Sequence, residues 1–263
     1  MRSDISIIIV LYKTDLKRIK YLNNLKKHKL LVFDQDVKIK QKNKIKTILS
    51  FDFEYLSSNK NIGLSKAMNL LIKKVKTKYC LLVEPDIEIN NKSVNLLRTY
   101  ITKKDCLFVG PNLTKKIFKK PISYTKKFDF SCLLFDVKKI KKFKFYDEDF
   151  SFYWEDIDLL TRVNNSKYKM ITVNKAYATH DKSKSSINSF NVQIIKGLNF
   201  KYGELVFDYK YKKLSKIKVI RHLYLCPLRV ILYILLLNKK KTIINFCYFL
   251  GTLKFLNYLF NKK

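Results

Sequence analysis

The sequence predicts an α/β fold with a mixed, mostly parallel sheet and apolar helices at its C-terminal end. Over about the first 115 residues, β-branched runs alternate with stretches of helical periodicity, a pattern typical of stacked βα units on a parallel sheet. After about residue 218 the chain changes to two apolar blocks separated by the polar run 238–241. The two patterns together indicate a sheet domain followed by a helical tail.

The alternation predicts strands and helices in a definite order. Each predicted strand is a short β-branched or aromatic run, and each predicted helix has apolar residues at helical spacing. The predicted strands are 5–12, 30–33, 53–57, 79–83, 106–109, 130–135, 168–173 and 176–180. The predicted helices are 15–27, 64–75, 92–101 and 155–164, the third with Asn90 and Asn91 as candidate caps.

Composition and charge narrow the class of protein. Hydrophobic residues make up 47% of the chain and aromatic residues 14%, which provides a packed core and excludes general disorder. The formal net charge of +34 favours anionic partners, such as an acidic membrane surface. Nucleic-acid readers rely on Arg, yet only six of the 55 basic residues are Arg and no DNA-binding or RNA-binding motif is visible. We therefore expect no specific nucleic-acid partner.

The cysteines and the N-terminal residues indicate the cellular compartment in which the protein is expected. The five cysteines are too far apart in the sequence for a metal knuckle or a redox pair, so they are predicted to be buried thiols. The apolar run 5–11 is too short and too β-branched for a secretory signal. Both observations indicate a cytoplasmic protein.

The tail, predicted as residues 216–263, differs from the sheet domain, predicted as 1–215. Pro227 and Arg229 interrupt the apolar block 223–237, and polar residues interrupt the block 242–260, so neither is a clean spanning helix of about 20 apolar residues. Because basic residues also outnumber acidic ones here, we interpret the blocks as helices in the membrane interface. The alternative is a helical hairpin that buries its apolar faces against the sheet domain.

Two carboxylates follow the predicted strand 79–83. Glu84 and Asp86 are separated by one residue where the strand leaves the sheet, and ligands of open α/β sheets bind at that edge. Carboxylates at positions i and i+2 of an extended segment point to the same side and suit Mg²⁺ or Mn²⁺. The alternative is an ordinary turn built around Pro85.

An aromatic and acidic segment, 150–159, is the second candidate. Trp154 directly precedes Glu155, Asp156 and Asp158 in a chain where carboxylates are scarce. Acidic residues at a helix N-terminus are stabilised by the helix dipole, which is a structural explanation. A carboxylate beside Trp154 is also partly desolvated, which raises its pKa and makes it a better general base.

His180 and Gly63 are further candidates. A single histidine at a strand end is more often a hydrogen-bonded structural residue, although an imidazole can join a carboxylate on a divalent ion. Gly63 is one of only five glycines and precedes a predicted helix, where a backbone turn can approach a ligand closely.

Taken in order, these segments resemble the family 2 glycosyltransferases, which have a Rossmann-like nucleotide-sugar-binding domain of the GT-A type. Within that family the rhamnosyltransferase-like branch is the most similar. The resemblance covers about residues 5–190, and the aromatic-Glu-Asp segment is its most specific part. The matching residues are 7–13, 32–34, 61–63 with Ala67 and Asn69, 81–86, 147–148, 152–159 with Arg162, and lastly Ala178 and His180.

The resemblance implies an inverting, metal-dependent transfer of a sugar, with rhamnose as one candidate, from a nucleoside-diphosphate sugar to a glycan or lipid-linked glycan of a growing surface polysaccharide. It implies that Asp156 is the general base, that Trp154 and Glu155 bind the acceptor, and that Asp86 and His180 hold Mg²⁺ or Mn²⁺. The residues implied at the nucleotide-sugar site are Tyr12, Asp34, Asn61, Gly63 and Glu84.

Two alternatives stay open. The same fold could serve a soluble or protein acceptor, or a degenerate transferase domain could bind a membrane or nucleic acid without catalysis. Departures from the family pattern, which bear on the nucleotide and sugar used, are Gln35, Glu84, Ser131, Cys132 and Lys167. With its basic, apolar tail, the protein is expected to be peripheral at the inner face of the cytoplasmic membrane.

Overall fold

The structure, a computed structural model, describes residues 3–36, 41–114, 116–181 and 190–262. The chain divides into two compact units. Unit 1 comprises Met1–Tyr146 and Leu159–Ile187, and unit 2 comprises Asp147–Asp158 and Asn188–Lys263. The predicted domain boundary at residue 216 coincides with the beginning of a helix within unit 2, Lys216–Leu235.

A nine-stranded sheet forms the centre of the described part of unit 1. Its order is β3-β2-β1-β4-β8-β6-β9-β5, and β7 pairs with β9. Strands β1, β2, β3, β4, β6 and β9 run in one direction, which confirms the predicted mixed, mostly parallel sheet. The strands are β1 Ile5–Leu11, β2 Lys29–Asp34, β3 Phe53–Ser57, β4 Tyr79–Val83, β5 Ile87–Ile89, β6 Cys106–Asn112, β7 Ile122–Tyr124, β8 Cys132–Asp136 and β9 Lys169–His180.

Helical segments connect these strands. The predicted helix 15–27 is a 3₁₀ helix, Leu16–Leu25, whose first turn is capped by the Asp15 side chain. Asn90 caps α3 as predicted, because its side chain accepts a 2.9 Å hydrogen bond from the Ser93 N–H. The α-helices that include residues of unit 1 are α1 Lys42–Ile48, α2 Leu64–Lys74, α3 Asn91–Tyr100, α4 Val137–Phe143 and α5 Glu155–Asn164.

The core of unit 1 lies on both faces of the sheet. Ile7 and Ile9 of β1 pack into one buried cluster, and Ile8 packs into the other, as the alternation of side chains along a strand requires. Burial on both faces explains why the first strands read as continuous β-branched runs rather than as an alternating pattern.

The two strands predicted at 168–173 and 176–180 are one continuous strand, β9. The polar pair Asn174-Lys175 suggests a break, but Asn174 is buried inside the strand. Its amide donates to the Lys120 carbonyl at 2.8 Å and to Ser123 Oγ at 2.9 Å. Partners about 50 residues away in the sequence therefore accept the hydrogen bonds of the Asn174 side-chain NH₂ group, in a residue type that otherwise favours turns.

Three helices form most of unit 2: α6 Phe190–Lys210, α7 Lys216–Leu235 and α8 Lys239–Phe260. Their core is built around buried aromatic residues that include Phe150, Tyr202 and Phe255. Helix α8 lies very close to α6, since a Cβ atom at Gly251 would be only 2.6 Å from the Leu198 carbonyl oxygen. The C-terminal apolar helices of the prediction are confirmed.

Helices α7 and α8 differ in burial. Only Val219, His222 and Cys226 are buried along α7, and large apolar side chains are exposed on the rest of it. Among the described residues, one helix, α8, is long and apolar enough to cross a membrane by length and composition alone, with a mean hydropathy of 1.3.

Asp149 contacts residues at the C-terminal ends of α6 and α8, and its replacement tests these contacts. Its Oδ2 accepts hydrogen bonds from Tyr258 at 2.8 Å and Lys262 at 2.9 Å, and lies 2.6 Å from Lys210 Nζ. Burial opposes its charge, but these donors outweigh burial and lower the pKa of Asp149 to about 2. Asp149→Asn should therefore lower the free energy of unfolding by about 1 kcal/mol near neutral pH.

The stability difference should depend on pH in one direction. A depressed folded-state pKa stabilises fully above the unfolded pKa of about 4, and the contribution is lost as the pH falls towards 2. Urea unfolding followed by Trp154 fluorescence should show a smaller difference between Asp149→Asn and wild type at pH 3 than at pH 7. Equal differences at the two pH values would contradict this explanation.

Candidate active site

The predicted nucleotide residues follow the carboxyl ends of parallel strands in unit 1. Asp34 and Leu11, the last residues of β2 and β1, pair with each other, so the two strands end side by side. Tyr12 directly follows β1, and Asn61 and Gly63 lie between β3 and α2. The carboxyl edge of an open α/β sheet is where ligands bind, and the nucleotide-binding role of these residues stays a prediction.

Asp34 is 1% exposed and accepts hydrogen bonds from Asp36, Gln41 and Tyr55. Its Oδ2 accepts hydrogen bonds from the Tyr55 hydroxyl at 2.6 Å and the Gln41 N–H at 3.1 Å, and its Oδ1 accepts from the Asp36 N–H at 2.9 Å. Burial, together with the neighbouring Asp34, raises the pKa of Tyr55 well above its ordinary value. The contact of Asp34 with a nucleotide stays a prediction.

Gln35 and Gly63 shape the turn before α2. Gln35 Oε1 accepts the Ile62 N–H at 3.1 Å, and Asn61 Oδ1 accepts the Gly63 N–H at 2.9 Å. Gly63 has φ of 85°, a conformation that residues with a side chain rarely adopt. From the sequence alone, Gln35 is only a departure from the family pattern, whereas in the structure its side chain joins the end of β2 to this turn.

Glu84, Asp86 and His180 form a compact group of potential metal ligands, with one ligand atom from each within 4.8 Å of the others. The Ile87 N–H donates to the Glu84 carbonyl at 3.1 Å, so the chain turns directly after β4. Strand β5 then pairs antiparallel with β9, and Ile87 is opposite His180. This pairing places His180 Nε2 3.8 Å from Asp86 Oδ2.

The chemistry of this group fits a divalent cation. Two carboxylates and an imidazole are ligands that Mn²⁺ and Mg²⁺ sites accept, and a cation relieves the repulsion between neighbouring carboxylates. His180 approaches Asp86 through Nε2, whereas its Nδ1 lies 3.8 Å from Oδ2 of Asp129, a carboxylate outside the group. Glu84, predicted at the nucleotide-sugar site, therefore lies with the predicted ligands Asp86 and His180.

The aromatic-acid segment belongs to unit 2 and contains backbone strain. Tyr153 and Trp154 both have positive φ, 67° and 71°, which is unusual for bulky residues and typical of functional sites. The turn lies against α6 at Gly203, where an added Cβ atom would be 2.9 Å from Trp154 Cδ1 and 3.0 Å from the Tyr153 carbonyl oxygen. Gly203 was not predicted from the sequence, although its rarity in this chain was a usable signal.

The three acidic residues after Trp154 have different environments at the beginning of α5. Asp158 is buried, and its Oδ1 accepts a 3.0 Å hydrogen bond from the Tyr211 hydroxyl. Glu155 is also buried, whereas Asp156 is half-buried. All three lie in the first turn, so the helix-dipole explanation applies to them. Asp156 is the most accessible of the three, and its role as the general base stays a prediction, as do the acceptor roles of Trp154 and Glu155.

Comparison with known proteins identifies the fold. No protein-family model and no curated protein matches the chain. A crystal structure of GalNAc-T7 with UDP, GalNAc and Mn²⁺ is similar, with a TM-score of 0.57 and 12% identity, over 67% of this chain and 42% of that one. The chain therefore spans less than half of the GalNAc-T7 structure.

Two further solved structures are similar over nearly the whole chain. The mannosyltransferase PcManGT from Pyrobaculum calidifontis, in complex with GDP-Man and Mn²⁺, has a TM-score of 0.57 and 10% identity, covering 97% of this chain and 88% of that one. S. aureus TarS 1–349 in complex with UDP has a TM-score of 0.54 and 13% identity, covering 95% and 91%. The fold of this chain is therefore the GT-A fold of glycosyltransferases.

Metal binding can be measured without any substrate. In a titration of Mn²⁺ alone into the full-length protein, Asp86→Asn and His180→Ala should each weaken binding by tenfold or more, because the first removes the negative charge of a carboxylate ligand and the second removes the imidazole. Glu88→Gln is the matched control, since Glu88 is an exposed carboxylate two residues after Asp86 and outside the group. Equal Mn²⁺ affinity in all four proteins would show that the group does not hold the ion.

Proposed function

We propose that this protein is a metal-dependent, inverting glycosyltransferase that moves a sugar from a nucleoside-diphosphate sugar to a hydroxyl of a growing, lipid-linked surface polysaccharide. The observation that carries the proposal is the group of Glu84, Asp86 and His180 beyond the carboxyl end of β4 in a GT-A fold. Three similar structures contain UDP, GDP-Man or Mn²⁺, which supports the donor class and the cation.

The nucleoside and the diphosphate of the donor each have a set of residues that would bind them. Tyr12, Asp34 and the turn at Asn61 and Gly63 would bind the nucleoside. Glu84, Asp86 and His180 would hold Mg²⁺ or Mn²⁺ beside the diphosphate. When bound, the cation supplies charge neutralisation for the departing nucleoside diphosphate. The protein residues fix the position of the diphosphate, so that the anomeric carbon is presented in one orientation.

Asp156 would act on the acceptor. Its carboxylate takes the proton of the acceptor hydroxyl as the oxygen attacks the anomeric carbon, and the configuration at that carbon inverts because the nucleoside diphosphate leaves from the opposite face. Trp154 and Glu155 would bind the acceptor, and the strained backbone at Tyr153 and Trp154 fixes the beginning of the helix that carries Asp156. The resemblance of residues 147–162 to the family motif supports this assignment.

The replacement Asp156→Asn tests the general base. It should lower kcat by about 10² to 10⁴-fold, because it removes proton abstraction and changes little in shape. Nucleotide affinity should stay within a factor of about two of wild type. Activity is measured by mass spectrometry with a panel of nucleoside-diphosphate sugars, including dTDP-rhamnose, and a polysaccharide-linked lipid extract as acceptor. An Asp156→Asn variant with wild-type kcat would remove Asp156 from the mechanism.

Nucleotide binding distinguishes the enzyme from a non-catalytic protein on the same fold. Calorimetric titration with UDP, GDP and dTDP, each with and without Mn²⁺, should show metal-dependent binding of at least one of them. A degenerate domain predicts no metal-dependent binding of any nucleotide, and that result would favour the non-catalytic alternative.

We also propose that α7 holds the protein to an anionic membrane surface. Its exposed residues include Ile217, Tyr224, Leu228, Ile231 and Leu235, and large apolar side chains exposed along one helix are typical of a membrane or protein contact. Lys216 and Arg221 stand near the beginning of the helix, Arg229 stands in its second half, and Lys239, Lys240 and Lys241 begin α8, which suits anionic headgroups. Such an anchor would place the enzyme at the inner face of the cytoplasmic membrane, beside a lipid-linked acceptor.

Vesicle binding tests the anchor in the full-length protein. Ile231 is 59% exposed, so Ile231→Glu should leave folding intact and weaken binding to phosphatidylglycerol vesicles by about tenfold or more. Thr102→Glu, which makes the same charge change at an exposed position of unit 1, is the control and should bind nearly as wild type. Identical vesicle binding by Ile231→Glu and wild type would contradict the role of α7.

A further inference from the structure

His180 lies between two carboxylates, of which only one belongs to the metal group of Glu84, Asp86 and His180. Its Nε2 is 3.8 Å from Asp86 Oδ2, whereas its Nδ1 is 3.8 Å from Asp129 Oδ2. Asp129 is not among the residues whose ligand atoms lie within 4.8 Å of one another. It has no part in the proposed mechanism, although it is the acid that faces the second ring nitrogen.

Asp129 lies between β7 and β8 and is held in place by Ser131. Its Oδ1 accepts hydrogen bonds from the Ser131 N–H at 3.0 Å and from the Ser131 hydroxyl at 2.5 Å. This Asx turn uses Oδ1 alone, and Oδ2 accepts no hydrogen bond from any residue that the structure describes. The turn therefore accounts for Oδ1 but not for the position of Oδ2 beside the imidazole.

Ser131 also contacts the metal group. It is 5% exposed, and its carbonyl accepts a 2.9 Å hydrogen bond from the Glu84 N–H. The side chain of Ser131, one of the departures from the family pattern, thus holds Asp129, while its backbone holds Glu84. Asp129 is therefore joined to the backbone of one member of the group and faces the side chain of another.

A metal-bound imidazole has a use for a carboxylate in this place. One ring nitrogen binds the ion, and the other carries a proton that is donated to a carboxylate, a carbonyl or water, which fixes the tautomer and the orientation of the ring. The 3.8 Å between His180 Nδ1 and Asp129 Oδ2 is longer than a hydrogen bond, so a shift of about 1 Å would form one. The Asp129 side chain is 50% exposed and has room for this shift.

We infer that Asp129 is a positioning residue for the metal site. Its Oδ2 accepts the Nδ1–H of His180, which leaves Nε2 without a proton and directs it towards Asp86 and the cation. Asp129 acts through the imidazole and does not itself bind the ion. The inference rests on the proposed function for the presence of the cation, and it adds to that function a residue that orients one of the ligands.

Titration of Mn²⁺ alone into the full-length protein tests this role without a nucleotide. Asp129→Ala should weaken Mn²⁺ binding by about tenfold or more, whereas Asp129→Asn should stay within about threefold of wild type. The asparagine oxygen can still accept the Nδ1–H, and asparagine also forms Asx turns. Asp52→Ala is the matched control and should bind as wild type, since Asp52 is an exposed aspartate of unit 1 outside the group.

The His180→Ala background separates action through the imidazole from every other role. If Asp129 acts through His180, adding Asp129→Ala to His180→Ala should change the Mn²⁺ affinity by less than about twofold. A direct ligand, or a turn that only holds Glu84, would instead give the same loss of affinity with and without the imidazole.

Three results would overturn the inference. Wild-type Mn²⁺ affinity in Asp129→Ala would show that the site does not need this residue. Equal losses in Asp129→Asn and Asp129→Ala would show that its charge matters rather than its acceptor atom. An equal loss with and without His180 would assign Asp129 to the ion or to the turn. All three leave the proposed function standing. If the variants respond as expected but no nucleoside diphosphate binds, the proposed function fails and the role of Asp129 stands.

Discussion

The antiparallel pairing of β5 with β9 is the contact on which the candidate site depends. Glu84 and Asp86 follow β4, a buried strand of the parallel part of the sheet, and they would lie at its edge in any such fold. His180 comes from a strand much later in the chain, and it reaches Asp86 only because β5 pairs Ile87 with it. A short strand of three residues therefore converts a pair of carboxylates into a potential metal site.

Unit 2 contains two energetically costly features, a strained turn and an exposed apolar helix surface. The strained turn at Tyr153 and Trp154 persists because neighbouring residues determine it: rings from α6 pack around Trp154, and Gly203 leaves the space that the turn requires. Strain of this kind has an energetic cost, and the strained residues lie two and three positions before the half-buried Asp156. The apolar surface of α7 is a second costly feature of the same unit, and the proposed membrane contact would remove that cost.

The parts of the fold that the sequence predicted are those determined by local pattern. Buried β-branched runs and helical periodicity suffice for β1–β4, α2 and α3, and they also place Glu84 and Asp86 at a strand end. The parts that it missed depend on distant partners. Strand β9 continues through Asn174 because residues about 50 positions away accept hydrogen bonds from its side-chain NH₂ group, and the role of Gln35 depends on Ile62. Helix α6 was missed as well, because it is apolar without a clear polar face.

Pulsed electron paramagnetic resonance of the Mn²⁺-loaded protein measures which nuclei are bound to the ion, and so tests whether His180 and the diphosphate bind it. We predict a nitrogen coupling in the wild type that is lost in His180→Gln, and a phosphorus coupling that appears when the nucleoside diphosphate selected by titration is added. A nitrogen coupling that persists in His180→Gln, or the absence of phosphorus coupling with every nucleoside diphosphate, would contradict this prediction.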